Sequence, residues 1–384
     1  MRRKRFLALT LSVLMGMSVL AGCSGGSSGN DGPIKIGTID PMTGASASYG
    51  QDKVNGMSLA VQEKNAAGGV LGRQIEMISE DSASQAAQAA TVATKLITQD
   101  NVAAIAGAQT SSETMAMLDV LAEYKVPAVT PATSPYIGQQ GNQYINRCSP
   151  DDALQVEALI KYAAEDLGIT NIGVLYSNDD YGKGGYDGAT GCADKYGVTL
   201  TGDTFLGDDT NFSAQLARLK DAGCEAILMW CQTTAASLII RQANDMGWNP
   251  QYLGCPGIND PQLFELSNGL CDGMMLASSF NADSDEQYVV DFVNSYTENF
   301  GMAPSLAAAH GYDAMQIIFA GIEAAGSTDP EEIAKGIRTL KDIQTLKGAT
   351  TIDSETGNMY CPIYLVAADG ATSTFVFDRE VDLN

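Results

Sequence analysis

Two hydroxyl-bearing turns in this chain have the chemistry of an anion site. One is Gly107-Ala108-Gln109-Thr110-Ser111-Ser112-Glu113; the other is Pro131-Ala132-Thr133-Ser134-Pro135. Each follows a short apolar run, 102–106 and 126–130, that reads as a buried strand. The first turn opens a helix over 111–124, and the unbonded N–H groups and dipole of a helix start favour an anion such as a carboxylate. A lone Ser at that place, Ser111 or Ser112, would ordinarily be an N-cap and nothing more. Two such turns at adjacent strand ends point to a joint anion site. A third turn, Ser177-Asn178-Asp179-Asp180-Tyr181-Gly182, carries an aromatic that either covers a ligand or packs on the helix that starts there.

Other chemistries are poorly served. His310 is the only histidine and lies in an apolar stretch, 306–315, where it reads as a packed helix residue. A His-based triad would need a Ser nucleophile and an acid beside it. No GxSxG elbow follows a predicted strand, and no GxxxxGK[ST] loop is present. Cys23 apart, seven cysteines remain: Cys148, Cys192, Cys224, Cys231, Cys255, Cys271 and Cys361. They form no CxxC and no Cys/His pattern for a metal, so neither metal nor cofactor is expected. They read as buried free thiols in preference to an internal disulfide such as Cys255–Cys271. Beyond residue 22 the chain has 18 basic and 46 acidic residues, a formal charge of about −28, which argues against nucleic acid as a partner.

The first residues read as an address. Arg2, Arg3, Lys4 and Arg5 precede an apolar run over 6–20, too short for the ~30 Å hydrocarbon core and suited to a signal peptide over 1–22. Leu20-Ala21-Gly22-Cys23 resembles the bacterial lipobox, which implies lipid on Cys23 and a Ser/Gly-rich tether over 23–33.

The turns must be positioned by elements. Apolar runs and amphipathic stretches alternate: strands at 34–39, 74–79, 102–106 and 126–130, with helices at 50–67, 86–98 and 111–124 between or after them. The alternation restarts beyond Cys148-Ser149-Pro150, with strands at 171–176, 198–204, 225–230, 251–254 and 273–278. Asn211 reads as the cap of a helix over 212–222. Helices follow near 285–300, 305–325 and 330–340, then a hairpin around Asp369-Gly370. This is an α/β chain with two parallel-sheet lobes, and ligands of such sheets sit beyond the carboxyl ends of the strands.

In order and spacing, several segments resemble the branched-chain amino acid (leucine/isoleucine/valine) binding proteins of ABC importers, a type I periplasmic-binding fold. They include Ile34-Lys35-Ile36-Gly37, Ser48-Tyr49-Gly50, Asn65-Ala66-Ala67-Gly68-Gly69-Val70-Leu71-Gly72, Ala132-Thr133-Ser134-Pro135, Asp179-Asp180-Tyr181-Gly182 and Phe212-Ser213-Ala214-Gln215-Leu216. The resemblance covers nearly all of the chain beyond the tether. It implies Rossmann-like lobes joined by three crossovers: lobe one over 34–148 plus 281–358, lobe two over 149–280 plus 359–384. It implies a monomer that binds a small solute, an amino acid or a related carboxylate or amide, between the lobes and passes it to a membrane permease.

Residue by residue, the resemblance assigns the ligand carboxylate to Ser111, with Gln109 beside it, and both carboxylate and ammonium to Thr133. It places aromatic contacts at Tyr49 and Tyr181, and ligand-lining positions at Thr110, Ser112, Ala132, Gln232 and Pro256. The chain departs from the family in three places. It is one residue shorter between Val126 and Thr133, Gln232 stands at a tyrosine position, and Pro256 stands where the family pairs an acid with the ligand ammonium. Either Asp260 supplies the counter-charge from the following turn, or the ligand lacks the ammonium. Trp230 either narrows the pocket, stacks on a ligand ring or faces the core. Two other functions carry over from these readings: a sensory subunit of the same fold, and a secreted hydrolase, for which no nucleophile–base constellation is in view.

Overall fold

The computed structural model describes residues 32–44 and 46–383. The expected signal peptide over 1–22, Cys23 and most of the expected tether over 23–33 lie outside the described residues.

Five parallel strands build the first sheet: β1 (Ile34–Asp40), β2 (Ile75–Asp81), β3 (Ala104–Gly107), β4 (Ala128–Thr130) and β5 (Ile145–Arg147), in the order β2-β1-β3-β4-β5. A second sheet takes β6 (Asn171–Ser177), β7 (Thr199–Phe205), β8 (Ala226–Trp230), β9 (Gln251–Gly254) and β10 (Met275–Ser278), all parallel. Three short strands, β11 (Ile343–Thr345), β12 (Gly348–Ile352) and β13 (Met359–Tyr360), form a small antiparallel sheet. The chain then returns to the second sheet as β14 (Ile363–Asp369) and β15 (Thr374–Val381), antiparallel, giving the order β15-β14-β10-β9-β8-β6-β7.

Helices connect the parallel strands, as they must, since a parallel crossover cannot be a tight turn. Around the first sheet these are α1 (Ala47–Ala66), α2 (Ala86–Thr98), α3 (Ser111–Tyr124) and α4 (Pro135–Gln139). Around the second are α5 (Asp152–Lys161), α6 (Asp180–Cys192), α7 (Ser213–Asp221), α8 (Thr233–Asp245) and α9 (Gln262–Leu266). α10 (Gln287–Phe300), α11 (Leu306–Ala325) and α12 (Pro330–Ile337) follow β10 in the chain, yet they pack on the first sheet. Phe292, Tyr296, Ile317, Phe319 and Ile337 share one buried cluster with Ile36, Met57 and Val129. The second sheet has its own core, in which Val174, Leu228 and Leu253 meet Leu159 and Leu365. The molecule is thus two α/β lobes with separate cores.

Local chemistry sets the helix starts. Asp179 accepts from Gly182 N at 2.8 Å and caps α6; Ser305 accepts from Ala308 N at 3.3 Å and caps α11. α7 differs from expectation: Phe212, buried against Phe205, occupies its N-cap, while the Asn211 side chain accepts from Ser213 N. All seven described cysteines are free thiols, six of them buried. Among the described residues no helix is long and apolar enough to cross a membrane.

Candidate functional site

Loops at the carboxyl ends of both sheets converge on one cavity between the lobes. Gln109, Thr110 and Ser111 follow β3; Pro131, Ala132 and Thr133 follow β4; Ser46 and Tyr49 follow β1. From the second lobe come Tyr181 after β6, Gln232 after β8, and Pro256 with Gly257 after β9. The walls enclose about 430 Å³ of space unfilled by protein atoms, part of it open to solvent.

Of the positions expected to line the site, Tyr49, Gln109, Thr110, Ser111, Ala132, Thr133, Tyr181, Gln232 and Pro256 all meet here. Ser112 does not. It is the second residue of α3, and a rotation of about 100° per residue turns it away from the wall that Ser111 forms. Neither Ser111 nor Ser112 is the N-cap. Thr110 takes that place: its Oγ1 accepts from Glu113 N, and Glu113 Oε2 accepts from Thr110 N at 3.0 Å. The Thr110-x-x-Glu113 spacing of this capping box is visible in the sequence. It frees the Ser111 hydroxyl, which accepts from Ser134 N at 3.2 Å and so ties the two turns together.

The second-lobe wall is held by its own bonds. Gly257 N donates to the Tyr181 hydroxyl at 3.0 Å. A Cβ at Gly257 would lie 2.9 Å from that oxygen and 3.1 Å from Cys231 O, so the contact requires glycine. Trp230 is fully buried behind Tyr181, its ring tilted at 47° and 6.1 Å away; it faces the core and does not line the cavity. Asp260 also stays out of the cavity. Its Oδ2 accepts from Ser48 Oγ at 3.0 Å and its Oδ1 from Gln262 N at 2.9 Å, and it borders an outer recess beside Asp52. The Ser48–Asp260 bond joins α1 of the first lobe to the second.

Four lining residues, Ser46, Pro131, Gly257 and His310, are not among the positions expected from the sequence, and the histidine is the one with ionisable chemistry. His310, on α11 and 2% exposed, stands in the cavity wall with Nδ1 3.3 Å from the Tyr49 hydroxyl. Two glycines bring it there. A Cβ at Gly56 would lie 2.0 Å from Ala308 O, and one at Gly311 2.1 Å from Lys53 O, so α1 and α11 touch backbone to backbone. Burial, then the nearby Lys347 and Lys53, hold the His310 imidazole far below its usual proton affinity, so it is neutral. Burial, then Asp260, pushes the Tyr49 hydroxyl well up, so it keeps its proton.

Behind Thr133 and Tyr181 lies a fully buried carboxyl, Asp152. Burial pushes it up to about 7, opposed by Thr133, Arg147 and Trp230. Thr133 and Trp230 face it, but neither oxygen of Asp152 meets a partner at hydrogen-bond geometry. Among the described residues, no group of three His, Cys, Asp or Glu side chains could hold a metal ion.

Comparison with known proteins agrees with this architecture. A family model described as periplasmic binding protein matches residues 33–373. The Leu/Ile/Val-binding protein homolog 3 of Brucella melitensis biotype 1 is 29% identical over 339 residues, covering 86% of this chain and 90% of its own. The leucine-, isoleucine-, valine-, threonine- and alanine-binding protein of Pseudomonas aeruginosa is 29% identical over 356 residues, 91% of each. The crystal structure of a leucine-binding protein from Thermotoga maritima superposes with a TM-score of 0.86 at 28% identity, covering 91% of this chain and 99% of that one. A branched-chain amino acid transporter substrate-binding protein from Streptococcus pneumoniae, solved with isoleucine, gives 0.84 at 28% identity over 91% and 99%. These are solute-binding proteins, not enzymes. With two parallel-sheet lobes, an interlobe cavity at the strand ends and a family match over residues 33–373, the chain belongs to the periplasmic binding protein family.

Proposed function

We propose that this protein captures a small carboxylate-bearing solute, an amino acid or a close relative, between its lobes and delivers it to the permease of an ABC importer. The observation that carries this is the meeting of Ser111 and Thr133 from one lobe with Tyr181 and Gln232 from the other around one cavity. The start of α3 favours an anion beside Ser111, and the Thr133 hydroxyl stands at the neighbouring strand end. Tyr49 and Tyr181 supply apolar faces with polar tips. The amino acids in the names of its relatives support the same class of solute.

In this reading, lobe one comprises 34–148 plus 281–358 and lobe two 149–280 plus 359–384, and the segments between them act as the hinge of closure. Cys23 carries the lipid, and the tether over 23–33 keeps the binder near its membrane partner at the outer face. Local concentration then does part of the work of affinity. The protein works as a monomer and turns nothing over. Mass spectrometry of small molecules released from gently purified protein tests the proposal. A stoichiometric carboxylate solute that rebinds with a Kd in the micromolar range or below supports it. Chemical conversion of the bound molecule, or no binding of any carboxylate solute, refutes it.

A further inference from the structure

We infer that the solute of this cavity bears its carboxylate without a neighbouring ammonium. The inference rests on the proposed function above and narrows its ligand class.

Every side chain lining the cavity is uncharged. Away from the two turns, Gln109 to Ser111 and Pro131 to Thr133, the wall consists of Ser46, Tyr49, Tyr181, Gln232, Pro256, Gly257 and His310. Tyr49 keeps its proton, and its hydroxyl meets His310 Nδ1 at 3.3 Å. His310 is neutral and carries no counter-charge. Pro256 has neither charge nor N–H, and Gly257 N is already given to Tyr181.

The nearby carboxylates lie outside the cavity wall. Asp260 accepts from Ser48 and from Gln262 N; it borders the outer recess and a small recess shared with Ser46, Tyr49 and Gln232, but it does not line the cavity itself. Glu113 folds back on Thr110 and lies toward Asp40. Asp179 is held by Gly182 N and Ser177 Oγ. Asp152 sits a layer behind Thr133, secluded from the cavity. An ammonium brought out of water into this space loses its hydration and gains no counter-charge, a loss that neutral hydrogen bonds do not offset. A carboxylate meets the opposite situation, because the α3 start provides free N–H groups and the favourable end of a dipole.

Calorimetric titration of the purified protein with matched pairs tests this: L-leucine against 4-methylpentanoate, L-valine against 3-methylbutanoate, and L-phenylalanine against 3-phenylpropanoate. The des-amino member of each binding pair should bind more tightly by about tenfold or more. An amino acid that binds as tightly as its partner, or more tightly, overturns the inference while leaving the proposed function standing. Failure of every member to bind overturns both. Pro256→Glu gives an independent reading, since it sets a carboxylate in the wall. It should move the pair ratio toward the amino acid by about tenfold or more, and an unmoved ratio in the folded variant overturns the inference. An amino-acid preference that disappears in Asp152→Asn would name Asp152 as the counter-charge and overturn it as well.

Discussion

Ser48→Ala removes one of the hydrogen bonds that cross between the lobes; Tyr136 to Asp187 is another. Ser48 donates from the first turn of α1 to Asp260 Oδ2 across the cleft at 3.0 Å, and it touches no part of the ligand cavity. The acceptor stays in place when Ser48 is truncated, because Asp260 Oδ1 still accepts from Gln262 N. A hydrogen bond to a charged group contributes ~1.5–3 kcal/mol when well buried. Ser48 is only half-buried, so water recovers part of that, and about 1 kcal/mol is the expected net loss to the closed form. If the free protein is mainly open, that loss passes directly into the apparent affinity, because the measured Kd scales inversely with the closed population. The Kd should rise about fivefold, between roughly threefold and tenfold. Calorimetry measures this, and small-angle scattering of the ligand-bound variant reports the closed fraction. Because the bond does not touch the solute, the factor should be the same for every ligand. An unchanged Kd, or a loss confined to one ligand, would refute the role of Ser48 in closure.

Thr133→Ala should weaken carboxylate binding by about 1–2 kcal/mol, roughly five- to thirtyfold, with little effect on melting temperature. Ser111→Ala should weaken binding to a similar extent and also lower the melting temperature, since it strands Ser134 N; calorimetry and thermal denaturation separate the two effects. Gly257→Ala forces the Tyr181 hydroxyl away from a Cβ that would lie 2.9 Å from it; affinity should fall about tenfold, and an unchanged affinity would show that Tyr181 is not a ligand contact. Asp152 is raised to about 7 by burial, so the folded protein holds a proton that the unfolded chain has already released between roughly pH 4 and 7. Its contribution therefore turns unfavourable as pH rises through that window, reaching about 4 kcal/mol above it. Asp152→Asn should gain stability above roughly pH 7 and none near pH 4, and a gain independent of pH would contradict this account.

How much of this was written in the chain differs by element. The helices over Ala86–Thr98 and Ser111–Tyr124 and the strand Gln251–Gly254 are legible to the residue, because apolar period and turn residues agree there. The strands β11 to β13 are two to five residues long and rich in Thr and Gly, too short to show a period. α4 and α9 span five residues each and escape for the same reason. The hairpin expected around Asp369-Gly370 is present, with its turn over 370–373. The cavity is legible because its residues follow strands, where parallel sheets place ligands. His310 is not, since an Ala-rich apolar helix reads alike whether its histidine packs or lines a cleft. Only the crossing of α1 over α11, made by Gly56 and Gly311, decides it. Asp260 was a reasonable counter-charge by spacing, but Ser48, 212 residues earlier, had claimed it.

Two fully buried ion pairs explain why that wall is both rigid and neutral. Lys53 Nζ lies 2.8 Å from Asp40, and Lys347 Nζ 2.5 Å from Asp313. Such pairs rarely add stability over apolar packing, because desolvation consumes the attraction. Their placement is therefore the informative part. Lys53 stands one turn beyond Tyr49 on α1 and fixes that turn to the end of β1. Asp313 stands one turn beyond His310 on α11 and fixes that turn to the loop before β12, where it also accepts from Leu346 N at 2.9 Å. Each pair clamps the backbone beside a cavity residue, so Tyr49 and His310 stand in a fixed wall. The same two ammonium groups suppress protonation of His310. These two pairs thus keep their charge a layer behind the cavity, while the cavity itself presents only neutral groups. A site arranged in this way can distinguish solutes by shape and by hydrogen bonds, and its one electrostatic preference comes from the start of α3. That preference is for an anion, and nothing in the fixed wall opposes it with a second charge.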